Sequence, residues 1–251
     1  MRYKTLDLFT GAGGIHLALK ATGLYNTLGF SEIDPHACAT LSRRFRGIPN
    51  YGDVRGLGAD HVAGIDIIAG GFPCQDISVG GGAEGLSGKR SGLWYEMLRL
   101  IELGKPKGVL IENVDQLRTR GLGAVLRGLA DIGYDAEWYT IPASAIGAPH
   151  RRKRLYIIAY RYQPRKPGLV SPFCLSLDDR SWQWAGAADL QEIYNNPFLP
   201  GPRWPQPLLR RMDDGLANRA HRLVQIGNGV VVPVVTQIAE LLHRRICESE
   251  E

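Results

Sequence analysis

The segment Thr5-Leu6-Asp7-Leu8-Phe9-Thr10-Gly11-Ala12-Gly13-Gly14 decides the fold of this chain. Its first half is an apolar run typical of a buried β-strand, and a glycine-rich turn follows at once. Doubly wound α/β folds bind nucleotide-like ligands at such a turn between the first strand and the first helix, because glycine lets the backbone approach the ligand closely. The turn is not a strict Gly-x-Gly-x-x-Gly motif, so a purely structural tight turn stays open as an alternative.

Short apolar runs and amphipathic stretches continue to alternate beyond this segment. They predict further strands at 27–31, 65–69, 109–111, 137–141 and 155–160, and helices at 36–45, 93–103, 122–132 and 230–246. Strands that alternate with helices of about ten residues indicate an α/β fold with a doubly wound, mostly parallel, Rossmann-like sheet.

The pattern breaks in the stretch from Pro164 to Pro207. This stretch holds eight of the fifteen prolines and three of the five tryptophans, without clear periodicity. We therefore predict a main domain formed by residues 1–162 and 209–251, and a small loop-rich lobe at 163–208.

Composition excludes several classes of protein. The 251 residues are 44% hydrophobic and 22% charged, as in globular proteins, which excludes disorder for the bulk of the chain. No apolar run reaches the roughly 18 residues of a membrane span. Four scattered cysteines without a Cys-x-x-Cys pair predict neither a disulfide framework nor a zinc site. Because a strand pattern begins at the first residues, we expect no secretory signal. The scattered cysteines favour a reduced, cytoplasmic location.

Two acidic residues follow the glycine turn at informative positions. Glu32 comes 21 residues after Gly11, at the end of the second predicted strand, where such folds place an acid that binds ribose hydroxyls. After the glycine turn and Glu32, Asp53 is a plausible third contact with the same ligand. An Asp in a surface turn is an equally good explanation of this residue.

A cysteine stands where the third predicted strand ends, in Gly71-Phe72-Pro73-Cys74-Gln75. Doubly wound sheets place their active sites at such strand ends, so Cys74 is a candidate nucleophile. A small buried side chain is the competing interpretation. The following residues 76–92 hold six glycines with Lys89 and Arg90, a composition that suits a loop closing over a substrate.

The fourth predicted strand ends in Glu112-Asn113-Val114. A carboxylate at a buried strand end needs hydrogen bonds, and beside Cys74 it could donate or accept a proton. A structural role for Glu112 is the alternative.

Positive charge is concentrated after the fifth predicted strand. Seven Lys and Arg side chains and no acidic residue lie between Trp138 and Leu177, and the whole chain carries a net charge of +5. Phosphates of a nucleic acid would explain this run, whereas a solvated basic turn is its ordinary alternative.

Taken together, these motifs resemble the DNA cytosine-5 methyltransferase family. The resemblance rests on an ordered set of segments: Asp7–Gly14, Glu32, Gly52-Asp53, Gly71–Gln75, Glu112-Asn113-Val114, Arg152-Lys153-Arg154 and Gly227-Asn228-Gly229-Val230-Val231. It covers roughly residues 1–162 and 209–246. Pro-Cys-Gln followed by Glu-Asn-Val, in this order after the glycine turn, is its most specific part.

The resemblance implies a site for S-adenosylmethionine, and it implies no metal. The residues implied to bind this cofactor are Phe9, Gly11, Gly13, Gly14, Glu32, Ile33, Asp53, Val54 and Asn228. Among them, Glu32 would hold the ribose hydroxyls, and Asp53 with Val54 would contact the adenine.

The resemblance also implies the reaction. Cys74 would attack C6 of a cytosine flipped out of double-stranded DNA, Glu112 would contact N3 and N4 of the base, and Arg152 and Arg154 would lie near it. The methyl group would then pass to C5. Further residues implied to contact the substrate are Pro73, Gln75, Ser78, Arg90 and Asn113.

The chain departs from the family pattern in three places. His150 and Gly229 stand where glutamine and serine are frequent, and the region between the motifs leaves only 163–208 for target recognition. We expect a monomer that acts on DNA near the nucleoid, in a bacterial or phage setting. A companion restriction endonuclease would be a functional partner and not a physical one.

Three other functions stay open. An RNA cytosine-5 methyltransferase is disfavoured because the Cys-Phe-Thr motif of the tRNA branch is missing from the sequence. A catalytically silent DNA-binding module is disfavoured by the presence of Cys74, Glu112 and Arg152. A nicotinamide-dependent oxidoreductase would leave Pro73-Cys74-Gln75 without an explanation.

Overall fold

The computed structural model describes residues 2–73, 92–146, 152–161 and 229–250. These ranges contain a six-stranded sheet with strand order β2-β1-β3-β4-β6-β5. The strands are β1 (Tyr3–Leu8), β2 (Tyr25–Ser31), β3 (Ile67–Gly70), β4 (Gly108–Val114), β5 (Tyr134–Pro142) and β6 (Lys153–Arg161).

One strand of the sheet runs against the others. Strands β2, β1, β3 and β4 pair in parallel, whereas β6 lies between β4 and β5 and is antiparallel to both. The prediction of a mostly parallel, Rossmann-like α/β sheet is confirmed. The reversal at β6 places the start of that strand beside the end of β4.

The helices also follow the sequence pattern. They are α1 (Gly14–Thr22), α2 (Pro35–Arg44), α3 (Ala59–Val62), α4 (Leu93–Gly104), α5 (Leu117–Arg120), α6 (Leu122–Asp131) and α7 (Val232–Glu250), with short 3-10 turns at Val54–Gly56 and Ala143–Ile146. The four predicted helices correspond to α2, α4, α6 and α7. The α7 helix begins two residues later than predicted and extends four residues further.

Local chemistry fixes where these helices begin and end. Asp34 caps α2, since its side chain accepts hydrogen bonds from the backbone N–H groups of His36 and Ala37, and Pro35 occupies the first helical position. Gly23 ends α1 in a left-handed conformation with φ of 72°.

Helices cover both faces of the sheet, as a doubly wound fold requires. On one face, Leu6, Leu8 and Ile68 pack with α4 and α6, and on the other, Ile67 and Ala69 pack with α1 and α7. The assignment follows from strand geometry, because successive side chains of a strand point to opposite faces.

Helix α7 joins the far end of the chain to the first strand and helix. Its buried residues include Val234, Ile238 and Leu242, and the Tyr25 hydroxyl donates a hydrogen bond to the carbonyl of Ala239. The residues just before α7 reach the glycine turn, where a Cβ on Gly14 would lie 2.7 Å from Val230 Cγ2.

No helix within the described ranges has the length and apolar character that crossing a membrane requires. The predicted lobe at 163–208 lies outside the described residues, so its boundaries stay a prediction.

We expect Leu242→Ala to lower the free energy of unfolding by about 2–5 kcal/mol, because this fully buried side chain fills space beside Gly108 at the start of β4. Urea unfolding followed by circular dichroism measures the change. Glu240→Ala, on the exposed side of the same helix, is the matched control and should change stability by about 0.5 kcal/mol or less. Equal losses in the two variants would contradict this packing.

Candidate active site

A cleft of about 740 Å³ opens at the carboxyl ends of β1, β2, β3 and β4. It is walled by the glycine turn after β1, the segment after β2, the ends of β3 and β4, the start of β6, and Gly229 and Val230 ahead of α7. Open α/β sheets bind their ligands at this edge.

The glycine turn has a backbone that few side chains tolerate. Phe9, Gly11 and Gly13 all have positive φ, at 54°, 56° and 87°, and a Cβ on Gly13 would collide with the ring of Phe45. Positive φ is uncommon for a bulky residue such as Phe9 and is typical of functional turns. Phe9, Gly11 and Gly14 line the cleft, whereas Gly13 packs behind it against Phe45.

The Glu32 carboxylate holds the turn in place. One oxygen accepts a hydrogen bond from the backbone N–H of Gly11 at 2.7 Å, and the other accepts from Ile33 and Asp34 at 2.8 Å each. An ionised carboxylate has about four acceptor sites, so one remains for a ligand in the cleft. Glu32 therefore ties the end of β2 to the turn after β1.

The other predicted cofactor residues lie on the same wall. Asp53 caps the short turn at Val54–Gly56 by accepting a hydrogen bond from Arg55 N at 3.0 Å, and it also lines the cleft. The Ile33 side chain is 65% exposed at the cleft, and Val54 is buried beneath it. Ile33 thus offers an apolar surface beside the acidic Glu32.

Glu112 forms a buried ion pair at the opposite end of the cleft. The residue is 7% exposed, and its carboxylate lies 3.1 Å from Nε of Arg154. Burial raises the pKa of Glu112 to about 7, although the charges of Arg154 and Arg152 act in the opposite direction. A carboxyl group with this pKa can give or take a proton near neutral pH.

Arg152 and Arg154 reach this position because β6 is antiparallel to β4. The register pairs Arg154 with Val114 and Tyr156 with Glu112. Both arginines line the cleft, and burial lowers the pKa of Arg152, as does the charge of Arg154. The structure thus places the predicted arginines beside the predicted carboxyl.

Asn113 and Gly71 fix the strand end that leads to Cys74. The Asn113 amide donates a hydrogen bond to the carbonyl of Phe72 at 2.9 Å, and its oxygen accepts one from Val114 N at 2.9 Å. A Cβ on Gly71 would lie 3.2 Å from a carboxylate oxygen of Glu112. Asn113 therefore positions backbone here, and its predicted contact with substrate stays a prediction.

Several predicted site residues lie outside the described residues. They are Cys74, Gln75, Ser78, Arg90 and Asn228. Pro73, directly before Cys74, lines the cleft, and Gly229, directly after Asn228, does so as well. Within the described ranges, no group of three or more His, Cys, Asp and Glu side chains is arranged to hold a metal ion.

The structure adds residues to which the sequence motifs assigned no role. Arg44, near the end of α2, lines the cleft. Asp7 is fully buried in β1, and burial raises its pKa well above its ordinary value. Tyr156 is fully buried opposite Glu112. Strand register places Tyr156 beside Glu112, and Asp7 lies near enough to Glu32 for the charge of Glu32 to raise its pKa further.

Comparison with known proteins agrees with this geometry. The sequence model of the C-5 cytosine-specific DNA methylase family matches residues 3–182. The chain belongs to this family. It is 36% identical over 176 residues to the type II methyltransferase M2.BsuMI of Bacillus subtilis, covering 67% of this chain and 44% of the relative.

Other relatives show the same partial coverage. The type II methyltransferase M.Bsp6I of a Bacillus species is 33% identical over 183 residues, covering 69% of this chain and 58% of the relative. The chain spans about half the length of the curated family members it matches.

Solved structures support the fold assignment. The Dnmt2 methyltransferase of S. pombe aligns with a TM-score of 0.56 at 21% identity, covering 66% of this chain and 53% of that one. A putative DNA modification methyltransferase encoded within an Escherichia coli prophage aligns with a TM-score of 0.51 at 28% identity, covering 63% and 47%. The family and its Rossmann-like fold are thus established for this chain.

The raised pKa of Glu112 gives a pH-dependent contribution to stability. The folded protein holds this proton up to about pH 7, whereas the unfolded chain loses it near pH 4.5, so Glu112 favours folding at low pH and this contribution is lost as pH rises through about 7. Glu112→Gln removes the effect. We expect its stability relative to wild type to improve by about 3 kcal/mol between pH 4.5 and pH 8, measured by urea unfolding.

Glu102→Gln, on the exposed face of α4, makes the same chemical change in water and is the matched control. A pH-independent difference between Glu112→Gln and wild type would contradict a buried carboxyl that is neutral at low pH.

Proposed function

We propose that this chain transfers a methyl group from S-adenosylmethionine to carbon 5 of cytosine in double-stranded DNA. The observation that carries the proposal is the Glu112–Arg154 ion pair in the same cleft as the Glu32-bound glycine turn. The strand end that leads to Cys74 meets this cleft at Pro73. One cleft therefore contains both a subsite for a nucleotide-like ligand, at Glu32, and a carboxyl group that can exchange a proton, at Glu112.

The residues present fit S-adenosylmethionine. Glu32 and Asp53 offer carboxylates for hydroxyl and amino groups, while Ile33 and Phe9 offer apolar surface on the same wall. Positive φ at Phe9 and Gly11 brings main chain close to the cleft, with no Cβ atom at Gly11. When bound, the cofactor supplies an activated methyl group on a sulfonium.

The chemistry assigned to the protein begins with addition to the base. The Cys74 thiolate forms a bond to C6, the electrons of the C5–C6 double bond move toward N3, and Glu112 gives its proton to N3. C5 then has enamine character and can take the methyl group. Water then takes the C5 proton, the C6–S bond breaks to release the Cys74 thiolate, and the N3 proton returns to Glu112, which restores the aromatic ring.

The environment of Glu112 supports its part in this sequence. A pKa of about 7 leaves about half of the Glu112 carboxyl groups protonated at neutral pH, and Arg154 and Arg152 stabilise the carboxylate once the proton has left. The reacting carbon is buried in a duplex, so the cytosine must be flipped into the cleft.

The basic residues and the relatives support the remaining parts of the proposal. The net charge of +5 and the seven cations between Trp138 and Leu177 suit a DNA backbone. Relatives named type II methyltransferases support a role in restriction-modification, with an endonuclease as a functional partner. We propose that the chain acts as a monomer, because one flipped base needs one active site.

We expect bisulfite sequencing of DNA from cells that express the chain to show methylated cytosines in a recurring sequence context. Cys74→Ser should abolish the signal, because a hydroxyl is a far weaker nucleophile than a thiolate. The variant should keep its affinity for S-adenosylmethionine. Methylation that persists in Cys74→Ser would overturn the nucleophile assignment. If the wild-type chain leaves DNA unmethylated, DNA is not its substrate. The next assay would then offer RNA together with labelled cofactor.

We expect Glu32→Ala to weaken S-adenosylmethionine binding by about 10-fold or more in isothermal titration calorimetry, because three backbone N–H groups lose a charged acceptor and the cleft loses its ribose acid. Glu102→Ala, on the exposed face of α4, is the control and should bind like wild type. Unchanged affinity in Glu32→Ala would show that the cofactor lies elsewhere.

A further inference from the structure

A tyrosine side chain lies beside the proton-handling carboxyl without reaching the cleft. The antiparallel register of β4 and β6 places Cα of Tyr156 directly opposite Cα of Glu112. Opposed residues in antiparallel strands point to the same face, with Cβ atoms about 4.5–5.5 Å apart. Arg154, two residues earlier on β6, shares that face because side chains repeat every second residue.

The hydroxyl of Tyr156 is buried without a hydrogen-bond partner among the described residues. The whole residue is 0% exposed. Nearly all buried hydroxyls in folded proteins are hydrogen-bonded, and an unsatisfied one is destabilising. Because this hydroxyl does not add to stability, its presence in the interior calls for an explanation in function.

The surroundings of Tyr156 indicate that reason. Burial raises the pKa of Tyr156 most, and the charge of Glu112 raises it further, whereas Arg154 and Arg152 oppose both effects. The phenol therefore stays protonated and is a permanent hydrogen-bond donor. It stands near the Glu112 carboxyl, whose protonated form becomes charged when its proton moves to the base.

We propose that the Tyr156 hydroxyl is a positioning donor that turns to the Glu112 carboxylate, directly or through one water, as Glu112 gives its proton to N3 of cytosine. This inference rests on the proposed function. The proton passes from Glu112 to N3, the Cys74 sulfur forms its bond to C6, and Tyr156 keeps its own proton throughout. A donor that is unsatisfied at rest and used when charge develops stabilises the transition state more than the ground state.

The test compares Y156F with Y134F. Tyr134 is also buried, but its hydroxyl donates to the carbonyl of Pro106 at 2.6 Å, so its role is structural. We expect Y156F to lower kcat about 10- to 100-fold with little change in the KM for DNA, while its Tm stays the same or rises. Y134F should lower Tm by about 2–4 °C and keep wild-type kcat.

The pH profile separates positioning from packing. Among the described residues, the charged and titratable groups that face Glu112 are Arg152, just ahead of β6, and Arg154 and Tyr156 of β6, while Gly71, just after β3, meets it from the other side. Loss of the donor raises the pKa of Glu112, so the alkaline limb of kcat/KM should move to higher pH in Y156F. An unchanged kcat with an unchanged limb overturns the proposal, and so does a Tm loss equal to that of Y134F.

An infrared titration keeps this result separate from the proposed function. The carboxyl band of Glu112, assigned by its loss in E112Q, should titrate at higher pH in Y156F than in wild type. If wild type fails to methylate DNA, the proposed function fails while this titration still tests the contact. If wild type methylates DNA and the Glu112 band titrates identically in wild type and Y156F, the role of Tyr156 is refuted while the proposed function stands.

Discussion

The pairing of β4 with the reversed strand β6 is the interaction on which the site depends. A parallel neighbour would bring the end of another strand to the end of β4, whereas β6 brings its beginning. Arg152 and Arg154 therefore stand beside Glu112 although some forty residues separate them along the chain. The ion pair makes the burial of Glu112 tolerable, and burial in turn raises its pKa to about 7.

The two ends of the cleft are built on different principles. At the β1 and β2 end, one carboxylate satisfies several backbone N–H groups and so holds a strained turn open toward the cleft. At the β4 end, the side chains of the neighbouring strands β4 and β6 lie beside each other on one face of the sheet. The first arrangement suits binding of a flexible cofactor, and the second suits control of a proton.

Helix α7 stabilises the domain by packing against the sheet beneath both ends of the cleft. It packs across the face of the sheet that also carries Asp7 and Tyr156, and Val230, just ahead of the helix, closes the wall beside Gly14. Polar groups on this face are thus shielded from water by a helix from the far end of the chain. Shielding of this kind strengthens electrostatic effects at the site, because the local dielectric constant is lower than that of water.

The sequence by itself determined the fold class and the family. Alternating apolar and amphipathic segments predicted the strands and helices, because burial of an apolar face has a period of two in strands and 3.6 in helices. The glycine turn, Glu32 and Glu112 could be found because they directly follow or end apolar runs, and doubly wound folds bind their ligands where strands end. Strand direction at β6, the burial of Asp7 and the meeting of Tyr156 with Glu112 were decided only by the tertiary structure. Register and helix packing arise from contacts between distant segments, which no local pattern of residues encodes.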